Sequence, residues 1–315
     1  MNLSEFIRYR NQLESMTAWT AESMADAELR KIISTVKLCP IPFEDNLSVL
    51  EHQRLNLIES YRHFDSALTE LKQKINFVID EQGEAWFIES HKRYNFEIDN
   101  QTIESFLNKK TNIPDNDRDY FVARLNTYAS WKHPGLILRP GQHNFIHSMV
   151  CFDPLYIVDR HDDLLWPCQI EFPEQYRKRL RPVVINEDTS ESLATLPSNQ
   201  FGLALAFDYF NFLPLHIVVY FLEQVYTKLK PGGVFCMTFN DCDTEKGMKL
   251  VEMFQASYIP QRKIMHYIEK IGYEVVHKYN NDSPLTWLEL KKPGELNSNR
   301  GGQVLAAVRP KPQQN

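Results

Sequence analysis

The sequence predicts an α/β protein: a mainly parallel sheet covered by helices and closed by an antiparallel hairpin, with a helical hairpin or coiled coil in front of it. Three observations predict this. Residues 3–38 contain neither proline nor glycine. An apolar seam repeats every seven residues between 57 and 78. From residue 135 onward, short apolar runs alternate with amphipathic ones, the pattern of strands buried on both faces.

A chain of 315 residues suggests two domains, or one domain with a large appendage. The expected divisions are a helical arm over 1–83, connecting helices over 84–132, the α/β domain over 133–296 and a polar tail over 297–315. Hydrophobic residues make up 43% and charged residues 24%, so a packed core is expected. No apolar stretch reaches the ~18–20 residues that cross a bilayer, so no membrane partner is expected. The opening MNLSEFIRYR lacks an apolar signal core. Cysteines 39, 151, 168, 236 and 242 form no CxxC pair and read as reduced thiols of a cytosolic or virion protein. A net charge of −6 argues against a global grip on nucleic acid.

The first helix opens at Asn2 or Ser4 and carries the stripe Phe6, Tyr9, Leu13, Met16, Leu29, Ile33 and Val36. CPIPFEDN (39–46) breaks it. Ser48 and Glu51 have the spacing of a capping box for a second helix. There, Leu57, Tyr61, Phe64, Leu68, Leu71, Ile75 and Val78 step by 4 and 3 in turn, a heptad seam. The two helices zip against each other, cover the following domain or bind another subunit, and each alternative supplies the partner that an isolated amphipathic helix needs. AWFIES and YNFEI, between residues 85 and 98, fit strand or helix equally; 100–107 and 115–131 read as short capped helices.

The second half reads as LIL (136–138), FIHSMV (145–150), LYIVD (155–159), EQYRKRL (174–180), PVVI (182–185), FGLALAF (201–207), the amphipathic 214–230, VFCMTF (234–239), a helix over 260–272 ending at Gly272, and a final pair over 273–279 and 285–290. The helix, the turn LKPGG, the strand and the closing hairpin together resemble the second half of a class I S-adenosylmethionine-dependent methyltransferase, a Rossmann-like fold. The similarity spans about residues 133–292, and is greatest to methyltransferase-like proteins carried by tailed phages of marine bacteria.

That resemblance implies S-adenosylmethionine as cofactor, with no metal. It places the ribose-binding acid at Asp159, where LYIVD ends, and a polar contact to adenine in the loop Asn186, Glu187, Asp188, with Asp188 the chosen candidate. The glycine-rich loop after the first strand aligns with LILRPGQHNF, leaving Pro140 and Gly141 as its remnants. Leu138 or Arg139 stands where an acid or glycine is expected, and Arg139 brings a like charge toward the cofactor's ammonium and sulfonium. Asp208 and Asn211, after the fourth strand, are the candidate catalytic pair, able to orient a nucleophile. DPLY (153–156) imitates a DNA-methyltransferase box but opens the second strand rather than following the fourth. His143 and His147 lie four apart without a third ligand. Two readings follow: a methyltransferase with a dimerising arm, or an inactive methyltransferase-fold scaffold whose arm docks it into a phage virion or another assembly.

Overall fold

The computed structural model describes residues 3–16, 27, 47–100, 115–140, 145–170, 172–187, 189–281 and 283–296. The chain divides into two units, Met1–Ala85 and Trp86–Asn315.

In the first unit, helix α1 (Leu3–Met16) buries Leu3, Ile7 and Arg10. Arg10 Nη1 donates to Asn76 Oδ1 of α2 (Leu47–Asn100) at 3.3 Å, which ties the two helices together. The rest of the expected first helix and the proline link lie outside the described residues, apart from residue 27, which is helical. Helix α2 is longer than expected. AWFIES and YNFEI are part of it, because residues 47–100 hold no proline and Gly83 alone costs a helix only about 1 kcal/mol. Of the heptad seam, Leu68 is buried, whereas Phe64, Leu71 and Val78, seven residues apart, are 48%, 45% and 38% exposed.

The second unit holds α3 (Asp115–Thr127), β1 (Gly135–Leu138), β2 (Leu155–Asp159), α4 (Asp162–Ile170), α5 (Glu174–Arg177), β3 (Leu180–Val184), β4 (Phe201–Ala206), α6 (Leu215–Lys228), β5 (Leu229–Asn240), α7 (Glu245–Glu252), α8 (Gln261–Ile271), β6 (Glu274–Tyr279) and β7 (Leu285–Lys291). Short 3-10 turns cover Phe145–Met149 and Phe210–Phe212. The strands form one sheet in the order β3-β2-β1-β4-β5-β7-β6. β1 to β5 are mutually parallel, and β7 runs antiparallel between β5 and β6. The expected parallel sheet with its C-terminal antiparallel hairpin is present.

Alternation drives this layering. Successive residues of β4 face opposite sides: Ala204 and Ala206 join the layer under α6 and α8, and Leu203 and Leu205 join the layer under α3 and α4. All six residues of β4 are therefore buried.

The LKPGG turn differs from expectation. Helix α6 stops at Lys228 and the strand run begins at Leu229, so Pro231, Gly232 and Gly233 lie inside β5, where its pairing with β4 shifts between Phe201 and Leu203. Gly232 has φ 79°, and a Cβ there would sit 2.4 Å from the Leu296 nitrogen, so the glycine is a steric requirement. EQYRKRL is helical only to Arg177, because Leu180 already pairs with Leu155 in the sheet.

Candidate functional site: the carboxyl ends of β1 to β4

Strand order reverses between β1 and β4, which is where open α/β sheets bind their ligands. Four side chains converge there. Arg139 follows β1, Asp159 ends β2, Glu187 follows β3 and Tyr209 follows β4; each is at most 2% exposed. The backbone fixes this meeting: Arg139 N–H donates to Val158 O at 2.7 Å, and Ile185 N–H donates to Asp159 O at 3.0 Å.

The Arg139 guanidinium lies between the acids, with Nε 3.8 Å from Asp159 Oδ2 and Nη2 3.7 Å from Glu187 Oε1. Its Cζ stands 5.2 Å from the centre of the Tyr209 ring, a cation–π distance. Tyr209 donates its hydroxyl to Glu187 Oε1 at 2.7 Å, and Arg160 Nη1 reaches Glu187 Oε2 at 3.3 Å. The His161 backbone N–H donates to Asp159 Oδ1 at 3.0 Å, and Arg160 Nε donates to His161 Nε2 at 2.7 Å.

Burial pushes the Asp159 carboxyl above its ordinary pKa, and Arg139 only partly offsets that. Burial also lowers the His161 pKa, helped by Arg160, and raises the Tyr209 hydroxyl well above its usual value, with the Glu187 charge adding to the rise.

Of the residues expected at the site, Asp159 closes β2, and Pro140 is buried directly after Arg139. Gly141 and Asp188 lie outside the described residues, as does His143. Asp208 and Asn211 meet each other: Asn211 Nδ2 donates to Asp208 Oδ1, and the Asp208 N–H donates to Thr238 Oγ1 at 2.7 Å. Asp208 has φ 49°, in the left-handed region that aspartate enters more readily than most side chains. The acid that reaches inward from the third loop is Glu187, the neighbour of the chosen Asp188, and Tyr209 joins it by a hydrogen bond as well as by packing. The usable sequence signal was a charged residue at the end of three consecutive strands: Arg139, Asp159 and Glu187.

No family model matches the sequence, and no curated protein matches it. Among solved structures, the chain is similar to a geranyl diphosphate C-methyltransferase of Streptomyces coelicolor, with 9% identity over 56% of this chain and 80% of that one at a TM-score of 0.46. It is similar to an S-adenosylmethionine-dependent methyltransferase of Mesorhizobium loti, with 12% identity over 54% of this chain and 96% of that one at a TM-score of 0.43. A third is an O-methyltransferase family protein of Burkholderia thailandensis, with 10% identity over 56% of each chain at a TM-score of 0.45. The Rossmann-like methyltransferase fold is carried by the strand order itself, with β7 antiparallel between β5 and β6.

The residues at the strand ends do not fit S-adenosylmethionine as they stand. The acid that would take the ribose hydroxyls already faces a buried guanidinium. A sulfonium placed here would meet a like charge in a region of low dielectric. Two arginines and two acids, Arg139, Arg160, Asp159 and Glu187, balance each other's charge without a ligand. Among the described residues, no group of three or more His, Cys, Asp or Glu side chains is arranged to hold a metal ion.

Proposed function

We propose that this chain is a methyltransferase-fold scaffold in which Arg139 holds the place of the cofactor, and that it joins an assembly through residues 1–83. One observation carries the first part: a buried guanidinium between Asp159 and Glu187, over Tyr209, at the switch point of the sheet. Support for the second part comes from the seam on α2, where Phe64, Leu71 and Val78 stay exposed at seven-residue intervals, the period of a coiled-coil face. The partner fitted to that face is a second copy or another helix of the same period, in a phage virion or another particle.

Calorimetric titration of the full chain with S-adenosylhomocysteine tests the scaffold reading. The expected result is no saturable heat up to ligand concentrations of about 1 mM, the range in which binding energy falls to about 4 kcal/mol. A Kd in the micromolar range would restore the enzyme reading. For the arm, replacing Phe64, Leu71 and Val78 together by serine is expected to lower the mass seen by sedimentation; an unchanged mass would sink the docking role.

A further inference from the structure

The sheet ends on one side at β6, and among the described residues no strand pairs with its outer edge. The register of β6 on β7 shifts between Val275 and His277. Val275 and Val276 stand there 39% and 44% exposed. A groove of about 450 Å³ adjoins Val275, lined also by Met265, Ile268 and Glu269 of α8 and by Tyr273. Toward α3 the same strand is engaged: His277 meets the Tyr120 hydroxyl at 2.5 Å, and Tyr279 stacks on the Tyr120 ring. The apolar surface shared by α8 and the strand edge is the part that calls for a cover.

The path of the chain beyond β7 points to that cover. Leu296, the last of the described residues, lies against β5: a Cβ on Gly232 would sit 2.4 Å from the Leu296 nitrogen. This is the end of the sheet at which β6 starts, because Lys291 pairs with both Val234 and Glu274. From β5 across β7 to the far side of β6 is three strand spacings, about 14 Å. Residues 297–302 reach up to about 20 Å when extended. They lead into QVLAAV (303–308), an uncharged and mostly apolar run in a tail that is otherwise polar. Gly301 and Gly302 precede it and Pro310 follows, the punctuation of a short strand. We propose that residues 303–308 of the same chain lie along the outer edge of β6 and fill the groove beside α8. Val304, Leu305 and Val308 bring apolar surface to Val275, Val276, Met265 and Tyr273, and the extended backbone meets the open edge of the strand. The short tether favours the chain's own tail over another copy's, because it holds the segment at an effective concentration of about 1 mM or more.

The test is hydrogen exchange followed by mass spectrometry on the full chain in three forms: wild type, Val304→Asp with Leu305→Asp in the tail, and Val276→Asp on the strand edge. The expected result is amides of residues 275–278 exchanging about 10-fold or more faster in the tail variant than in wild type, and amides of 303–308 speeding up about as much in the edge variant. Unchanged protection of β7 shows that the sheet is intact in each. Should Val276→Asp disturb β7, the tail variant decides alone, because its substitutions lie outside the sheet. Equal rates at 275–278 in wild type and tail variant overturn the proposal. So does exchange of 303–308 in wild type as fast as in an unstructured peptide of the same sequence. Protection of 275–278 that fades on about 100-fold dilution gives the groove to the tail of another copy, and also overturns it.

Discussion

Two buried carboxylates in the same sheet behave in opposite ways. Glu289, on β7, accepts from Arg124 at 2.7 and 2.5 Å, from the Tyr128 hydroxyl at 2.5 Å and from Trp287 Nε1 at 2.9 Å. Asp159, on β2, has one backbone donor and a guanidinium held at 3.8 Å. Burial opposes ionisation of both. At Glu289 the bonds from Arg124, Tyr128 and Trp287 prevail and the pKa is lowered; at Asp159 burial prevails and it is raised. The contrast separates a fully hydrogen-bonded cluster from an incompletely hydrogen-bonded one. The Glu289 cluster anchors the segment carrying Arg124 and Tyr128 to the sheet with every oxygen used. The Asp159 cluster sits at the carboxyl ends of the parallel strands, and Asp159 Oδ2 there accepts no hydrogen bond.

The largest effect that would sharpen this contrast is Glu289→Ala. It strips the acceptor from Arg124, Tyr128 and Trp287 together, and is expected to cost about 3–5 kcal/mol in urea unfolding. A cost under about 1 kcal/mol would break the contrast. Next come two double-mutant cycles. The Arg124/Glu289 coupling is expected at about 2–3 kcal/mol, and the Arg139/Asp159 coupling, lacking a direct hydrogen bond, below about 1 kcal/mol. Equal couplings would mean that the two clusters do the same job.

The smallest effect is in pH dependence, and there the two signs differ. Glu289 ionises more readily in the folded state. Its contribution is present above the ordinary carboxylate range and is lost as the pH falls through its lowered value. Asp159 ionises less readily when folded, so the unfolded chain releases that proton first. Stability therefore falls as the pH rises from the ordinary value to the raised one. Urea unfolding across this pH range should show Glu289→Gln flattening the acid loss and Asp159→Asn removing the opposing slope, each by about 1 kcal/mol. Slopes that change in the same direction in both variants would contradict the assignment.

Much of the fold was legible because two-sided burial leaves a plain mark. LYIVD, FGLALAF and VFCMTF are apolar almost throughout, and Gly272 does close its helix, with φ 97°. What escaped had a local signal pointing the other way. Pro167 lies inside α4 and disguises it, and α7 is only eight residues long, held by the Thr244 side chain accepting from the Gly247 N–H. The placement of β7 between β5 and β6 depends on long-range pairing, such as Phe235 with Leu290, which no local pattern encodes. At the site, Asp159 could be placed because it ends a strand. Arg139 was legible as a charge out of place, but its descent between Asp159 and Glu187 required three strand ends to be brought together in space.

The most direct measurement is a crystal structure of the wild-type chain grown with S-adenosylhomocysteine at about 5 mM, a concentration that would fill even a weak site. Arg139 within about 4 Å of both acids, with no nucleoside beside Asp159, is the predicted result. A ribose diol on Asp159, with the arginine turned away, would contradict the account.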